Sequence, residues 1–205
     1  MSFVLEGLIF GLLLAVSLGP IFIALTQTSI EKGIRPGLTV GLGIWISDFL
    51  FVYVFYFFIK SIENLIHSEF FTFWMGLSGA IVLLGFGLVL LIKKPQLEYK
   101  KIKYSIKNYF GFWLKGFLVN TVNPFTFVFW MGVISTYIIG RKISGFESLL
   151  FLGTILLVII VSDSGKVFLA HFLKKWLTPH HINWVTNISG VILIGFGIFL
   201  VWSVV

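Results

Sequence analysis

The chain contains no cysteine. Disulfide frameworks, zinc–thiolate sites, iron–sulfur clusters and thiol electron relays are therefore excluded. Charge is scarce too: only 11% of the 205 residues are Asp, Glu, Lys or Arg, against about 25% in soluble domains. No H-E-x-x-H run and no Ser/His constellation lies within an apolar stretch. An intramembrane hydrolase is thus disfavoured, the chain is read as a non-enzyme, and no cofactor is implied. What is abundant is apolar. Hydrophobic residues make up 58% of the chain, and the mean hydropathy is +1.04. A soluble chain this long could not hide so much apolar surface, so an integral membrane protein is expected. The apolar runs are continuous rather than alternating, which excludes a β-barrel. At one span per roughly 20 apolar residues, about six helices fit, with no room for a second, soluble domain.

Low-charge windows bounded by polar or Gly/Pro clusters place spans at 3–28, 37–59, 70–92, 112–139, 147–173 and 184–205. Span one lacks a basic leader and a small-residue cleavage site, so it reads as a span rather than a signal peptide. Basic residues collect in alternate loops: Lys32 and Arg35; Lys93, Lys94, Lys100, Lys101, Lys103 and Lys107; Lys174 and Lys175. The other side holds Lys60, Arg141 and Lys142. The positive-inside rule then puts the three basic loops in the cytoplasm and both termini outside. The net charge of +7 is a topology signal against the anionic inner leaflet, not a nucleic-acid footprint. Trp113, Trp176, Trp184 and Trp202 fall near span ends as interfacial anchors, whereas Trp45 and Trp130 fall mid-span and need another role. His67, His171, His180 and His181 show no metal-ligand spacing on one face, so no metal site is expected and they read as surface or interfacial.

The halves resemble each other. V-S-L-G-P with Pro20 answers N-T-V-N-P with Pro124; Ser47-Asp48 answers Ser162-Asp163. S-G-A-I-V-L-L-G-F-G-L-V-L from Ser78 answers S-G-V-I-L-I-G-F-G-I-F-L from Ser189. Each repeat holds an odd number of spans, so the second enters the membrane from the opposite side. The expected architecture is all-α: six transmembrane helices as two inverted three-helix repeats in one domain over 1–205, with repeat one about 3–92, a basic cytoplasmic loop about 93–111 and repeat two about 112–205. Transporters use that symmetry to alternate between inward-open and outward-open states.

Polar groups inside the spans point to a site. Proline lacks an N–H and collides with the carbonyl four residues earlier. Pro20 and Pro124 should therefore break their helices and free the carbonyls of Val16 and Asn120, which need partners in protein or a wet cavity. Gly19 lets the first break bend, and Asn120 and Asn123 offer amides at the second. A broken helix presents carbonyls on one side and N–H groups on the other, a match for an α-amino acid zwitterion. Asp48 and Asp163 sit deep in their spans, where a central Asp costs on the order of 2.5–3.5 kcal/mol. Each needs a cavity, a partner or a proton. Lys166 follows Asp163 by three residues and so shares its face, although reach to Asp48 stays open. Trp45, three residues before Asp48, is positioned to meet a substrate ammonium or to pack. Gly7 and Gly11, Gly37 and Gly41, Gly85 and Gly87, and Gly195 and Gly197 would allow close helix approach.

The segment L-G-P-I-F-I-A-L-T-Q-T-S-I-E-K-G-I-R-P-G-L-T-V-G-L-G-I-W-I-S-D (18–48) resembles the lysine-exporter (LysE/RhtB) family. That family carries P-G-P, a basic turn, G-x-x-x-G-L-G and an acidic residue there. N-P-F-T-F-V-F-W (123–130) is similar to its fourth-helix N-P-K-A-x-x-F-F, and 189–200 to its closing span. Leu18, Ile21 and Phe125 depart from the pattern, and Lys166 matches no family motif. The resemblance implies efflux of amino acids or related zwitterions from the bacterial plasma (inner) membrane, in exchange for protons. The partners expected are an amino-acid-like small molecule, protons and membrane lipid; a homo-oligomer stays open. The alternative is an exporter of metal ions or other small cations with related architecture, which would want more carboxylates and no Lys166.

Overall fold

The computed structural model describes residues 3–16, 19–66, 69–92, 106–143, 145–174 and 179–204. All regular structure among them is helical: α1 (Phe3–Val16), α2 (Pro20–Lys32), α3 (Ile34–Ile66), α4 (Glu69–Ile92), α5 (Ile106–Thr121), α6 (Pro124–Val133), α7 (Gly145–Leu173) and α8 (Pro179–Val204). A π-helical segment, Ile134–Ile139, continues α6.

Both spans with an internal proline are broken. The axes of Phe3–Ala15 and Pro20–Lys32 differ by 68°, and those of Asn108–Thr121 and Phe125–Ile138 by 63°. By length and composition α3 and α7 can each cross a membrane, and each bent pair can do so as one unit. The described apolar stretches of α4 and α8 are Gly76–Ile92 and Thr186–Trp202. At 1.5 Å per residue, the 33 residues of α3 run roughly 50 Å, well beyond a hydrocarbon core of about 30 Å.

Two boundaries differ from the sequence reading. The loop expected between spans one and two shrinks to Gly33, because its φ of +102° suits only glycine and lets the chain reverse in one residue. Its N–H donates to Ser29 O at 3.0 Å. Helix α5 starts at Ile106, inside the expected loop. Lys93, Lys94, Lys100, Lys101 and Lys103 lie outside the described residues, as do His67, Lys175 and Trp176; the side chains of Lys60, Lys107, His180 and His181 do also. Trp184 and Trp202 are exposed near the ends of α8, as anchors should be.

The helices pack in pairs: α1 along α7, α5 along α3 and α4 along α8, with α2 between α3 and α7. Two apolar clusters form the interior. One gathers Trp130, Phe151, Ile155 and Ile159; the other gathers Leu25, Val40, Ile44 and Val167. Large apolar side chains face outward instead on every long helix, among them Leu12, Phe57, Ile81, Leu157 and Phe199. Such a surface suits lipid, not water.

Candidate functional site

A cavity of about 410 Å³ lies where the two clusters meet, bounded by Ile44 on one side and Ile159 on the other. Gly19, Pro20, Asp48, Asn120, Asn123, Asp163 and Lys166 all line it. Residues from both helix breaks, from α3 and from α7 thus converge on one volume, in the size range of small-molecule sites. Trp45 does not line it, and the side chain of Pro124 lies outside the described set, although its neighbours Asn123 and Phe125 are on the wall.

The two carboxylates have different surroundings. Asp48 is 3% exposed. Its Oδ1 accepts from Asn120 Nδ2 at 2.9 Å and from Trp130 Nε1 at 2.9 Å. Both donors are neutral, and among the described residues none reaches Oδ2. Asp163 is equally buried but spends both oxygens: Oδ1 accepts from Lys166 Nζ at 2.9 Å, and Oδ2 from Trp45 Nε1 at 3.3 Å. The open question of the lysine's partner is answered: it pairs with Asp163, one helical turn away. The mid-span tryptophans are explained as well. Each gives its indole N–H to a buried carboxylate on another helix, so Trp45, lying between both clusters, is a carboxylate donor rather than a wall of the cavity.

The second break is tied to Asp48 by a continuous polar network. Asn123 caps α6, its Oδ1 accepting from Phe125 N at 3.2 Å. Asn123 Nδ2 donates to Thr126 Oγ1 at 3.1 Å, and Thr126 Oγ1 donates to Asn120 Oδ1 at 2.9 Å. Asn120 then donates to both Asp48 Oδ1 and Ile44 O, the latter at 3.1 Å. The expectation that Asn120 serves its own freed backbone is corrected. Its carbonyl is taken by Asn123 N at 3.1 Å, and its amide crosses to α3 because a buried carboxylate is the stronger acceptor.

The first break is different. Gly19 is extended, with φ −169°, and no side chain caps α2. A Cβ there would meet nothing within 4 Å. The glycine is therefore not needed to bend the chain; its effect is to leave the cavity wall open beside the N-terminal end of α2.

Sequence reasoning did not single out Thr126, nor Lys115, which sits within α5 and donates to Thr28 Oγ1 on α2 at 3.1 Å. A cation in an apolar span was the signal available for Lys115. His171, expected at the surface or an interface, is half-buried, and its Nδ1 lies 3.2 Å from Ser29 O on α2. Among the described residues no group of three or more His, Asp or Glu is placed to hold a metal.

The family comparison agrees with this geometry. Residues 12–203 match the family model described as LysE type translocator. A protein of Bacillus subtilis (strain 168) named "Putative amino acid efflux protein YcgF" is 24% identical over 205 residues, covering 97% of this chain and 95% of that protein. No solved structure matches the chain. With nearly its whole length matched, and its two bent helices and buried carboxylates gathered around one cavity, the chain belongs to the LysE type translocator family.

Proposed function

We propose that the protein exports amino acids or closely related zwitterions across the bacterial plasma membrane, in exchange for protons. The observation that carries this is the cavity. Among the described residues it holds one carboxylate with only neutral donors and an oxygen that no donor reaches, and one carboxylate neutralised by its own lysine. A carboxyl group whose partners are all neutral can hold a proton or an ammonium in turn, so the two can exchange there. Asp48 is thus the exchanging group. Asn120 and Trp130 orient its Oδ1 and leave Oδ2 toward the occupant. The substrate carboxylate is received by Lys166 and the uncapped start of α2, where helix N–H groups carry partial positive charge. Gly19, Pro20, Asn120 and Asn123 are proposed as the binding shell around it, and Pro124 as the residue that keeps the second break.

The cross-wise docking of α1 on α7 and α5 on α3, with α4 on α8, supports two three-helix halves that exchange roles. On this reading the repeats are about 3–92 and about 112–205, six spans in one domain, with the lysine-rich segment between them in the cytoplasm. The small-cation alternative gains nothing from the cavity, whose second carboxylate is already paired with a lysine.

Purified full-length protein in liposomes tests this directly. Efflux of an amino acid should be driven by an inward proton gradient. The free amino acid should compete better than its amide or its decarboxylated amine, both of which lack the carboxylate charge. Equal competition by all three, or efflux indifferent to the proton gradient, counts against it.

A further inference from the structure

We propose that the exported amino acid carries an apolar side chain, branched or aromatic, and that α8 is the element that selects it. This rests on the zwitterion export proposed above and goes beyond it by naming the substrate class. The argument is a balance of polar valences in the cavity.

Among the described residues, most polar side chains of its wall are bonded to one another. Asn123, Thr126 and Asn120 bond to one another, to backbone and to Asp48. Trp45 and Trp130 spend their N–H groups on carboxylates, and Asp163 has both oxygens occupied. Two charged valences remain. Oδ2 of Asp48 can accept an ammonium, and the remaining N–H groups of Lys166 can meet a carboxylate. Those two are consumed by the groups every α-amino acid has. Among the described lining residues no further charged side chain is left to pair with a lysine-like or glutamate-like one.

The rest of the wall is apolar. Among the described residues, α8 sends Ile192, Leu193 and Phe196 to the cavity, and Phe125, 6.4 Å from Phe196 between ring centroids, extends that wall. A polar side chain pressed there would lose its water without gaining a partner. A charged one would add an unpaired charge. At about 30 Å³ per water, a 410 Å³ cavity has space for a single amino acid of medium to large size. Hydrophobic walls discriminate by roughly 10- to 200-fold per missing methylene, and by about 100-fold against an added hydroxyl. That sets the expected scale.

The experiment loads liposomes containing the full-length protein with leucine, phenylalanine, serine, lysine and glutamate at equal concentration. The exit of each is followed under one proton gradient. Leucine and phenylalanine should leave at least about 10-fold faster than the other three. Ile192→Thr keeps the branched shape and adds a hydroxyl at a partly exposed position, so it should fold; it should narrow the leucine-to-serine ratio about 10-fold. Phe196→Leu serves as the apolar control and should keep the order. If lysine, glutamate or serine leaves as fast as leucine, or if Ile192→Thr leaves the ratio unchanged, α8 is not the selector and the inference falls while amino-acid export stands. If none of the five leaves faster than from protein-free liposomes, the amino-acid reading itself falls, and this inference with it.

Discussion

Asp48 and Asp163 each follow a serine in the chain, yet their environments separate their roles. Two neutral donors converge on Oδ1 of Asp48, whereas Asp163 is held by a cation and an indole. Replacing Asp48 with Asn removes the exchangeable proton while keeping an oxygen for Asn120 and Trp130. Asp48→Asn should therefore fold and lose proton-driven efflux, measured as flux against a substrate gradient; retained proton-driven transport would refute the assignment. Asp163→Asn strands Lys166, whose side chain is only 14% exposed. Breaking a buried pair costs about 3 kcal/mol or more. Thermal stability in detergent should drop accordingly, and adding Lys166→Met should recover part of the loss. Trp130→Phe should cost about 1–3 kcal/mol by removing one of the two donors to a buried carboxylate.

At the scale of helices, glycine placement decides how closely elements cross. A Cβ on Gly43 would collide with the backbone of Trp113, and one on Gly116 with the backbone of Val40. Helices α3 and α5 therefore meet backbone to backbone, which brings Asn120 within reach of Asp48. Gly7 and Gly11 play that part for α1 on α7, where added Cβ atoms would lie 2.7 Å from Phe151 O and 2.6 Å from Val158 Cβ. Gly87, Gly190 and Gly197 do so between α4 and α8, while Gly85 and Gly195 have open space around them. Helical spacing flagged the G-F-G pairs but could not tell which glycine of each faces its partner, and it passed over Gly43 and Gly116. The expected outcome is asymmetric. Gly116→Ala should destabilise by about 1–3 kcal/mol, because backbone cannot yield as a side chain can. Gly85→Ala should be neutral or slightly stabilising in the same thermal assay.

Taken as a whole, the molecule ties its two ends differently. Arg141 Nη1 lies 2.8 Å from Glu6 Oε2, with its guanidinium 4.1 Å from the centre of the Tyr137 ring. The start of α1 and the turn before α7 therefore share one end. On α2, Lys115 reaches Thr28, and Ser29 Oγ donates to Val167 O at 2.6 Å. These contacts bind α2 to α5 and α7 near the lysine-bearing turn. The basic-loop distribution predicts that the Glu6–Arg141 end lies outside. Because the chain has no native cysteine, Ser2→Cys and Tyr99→Cys can each be probed with an impermeant thiol reagent on intact cells. Ser2→Cys should label and Tyr99→Cys should not; labelling of both would overturn the orientation.

Composition alone forced a membrane solvent, since no folded shape of this length could bury so many apolar residues. Proline chemistry alone located both breaks, because a missing N–H and a ring clash act within one turn of helix. Spacing put Lys166 on the face of Asp163, for the same local reason, and left its reach to Asp48 open. None of these signals reaches across the bundle. That Asn120 would turn from its own helix to Asp48, that Trp45 would serve Asp163 rather than its own face, and that Trp130 would complete the Asp48 shell depended on how α3, α5, α6 and α7 dock. Docking is set by glycine contacts and side-chain packing between residues far apart in the chain, and a one-dimensional pattern carries no distance between them. The cavity belongs to that second class: its wall is contributed by segments from Leu13 to Phe196, and it exists only once they are packed.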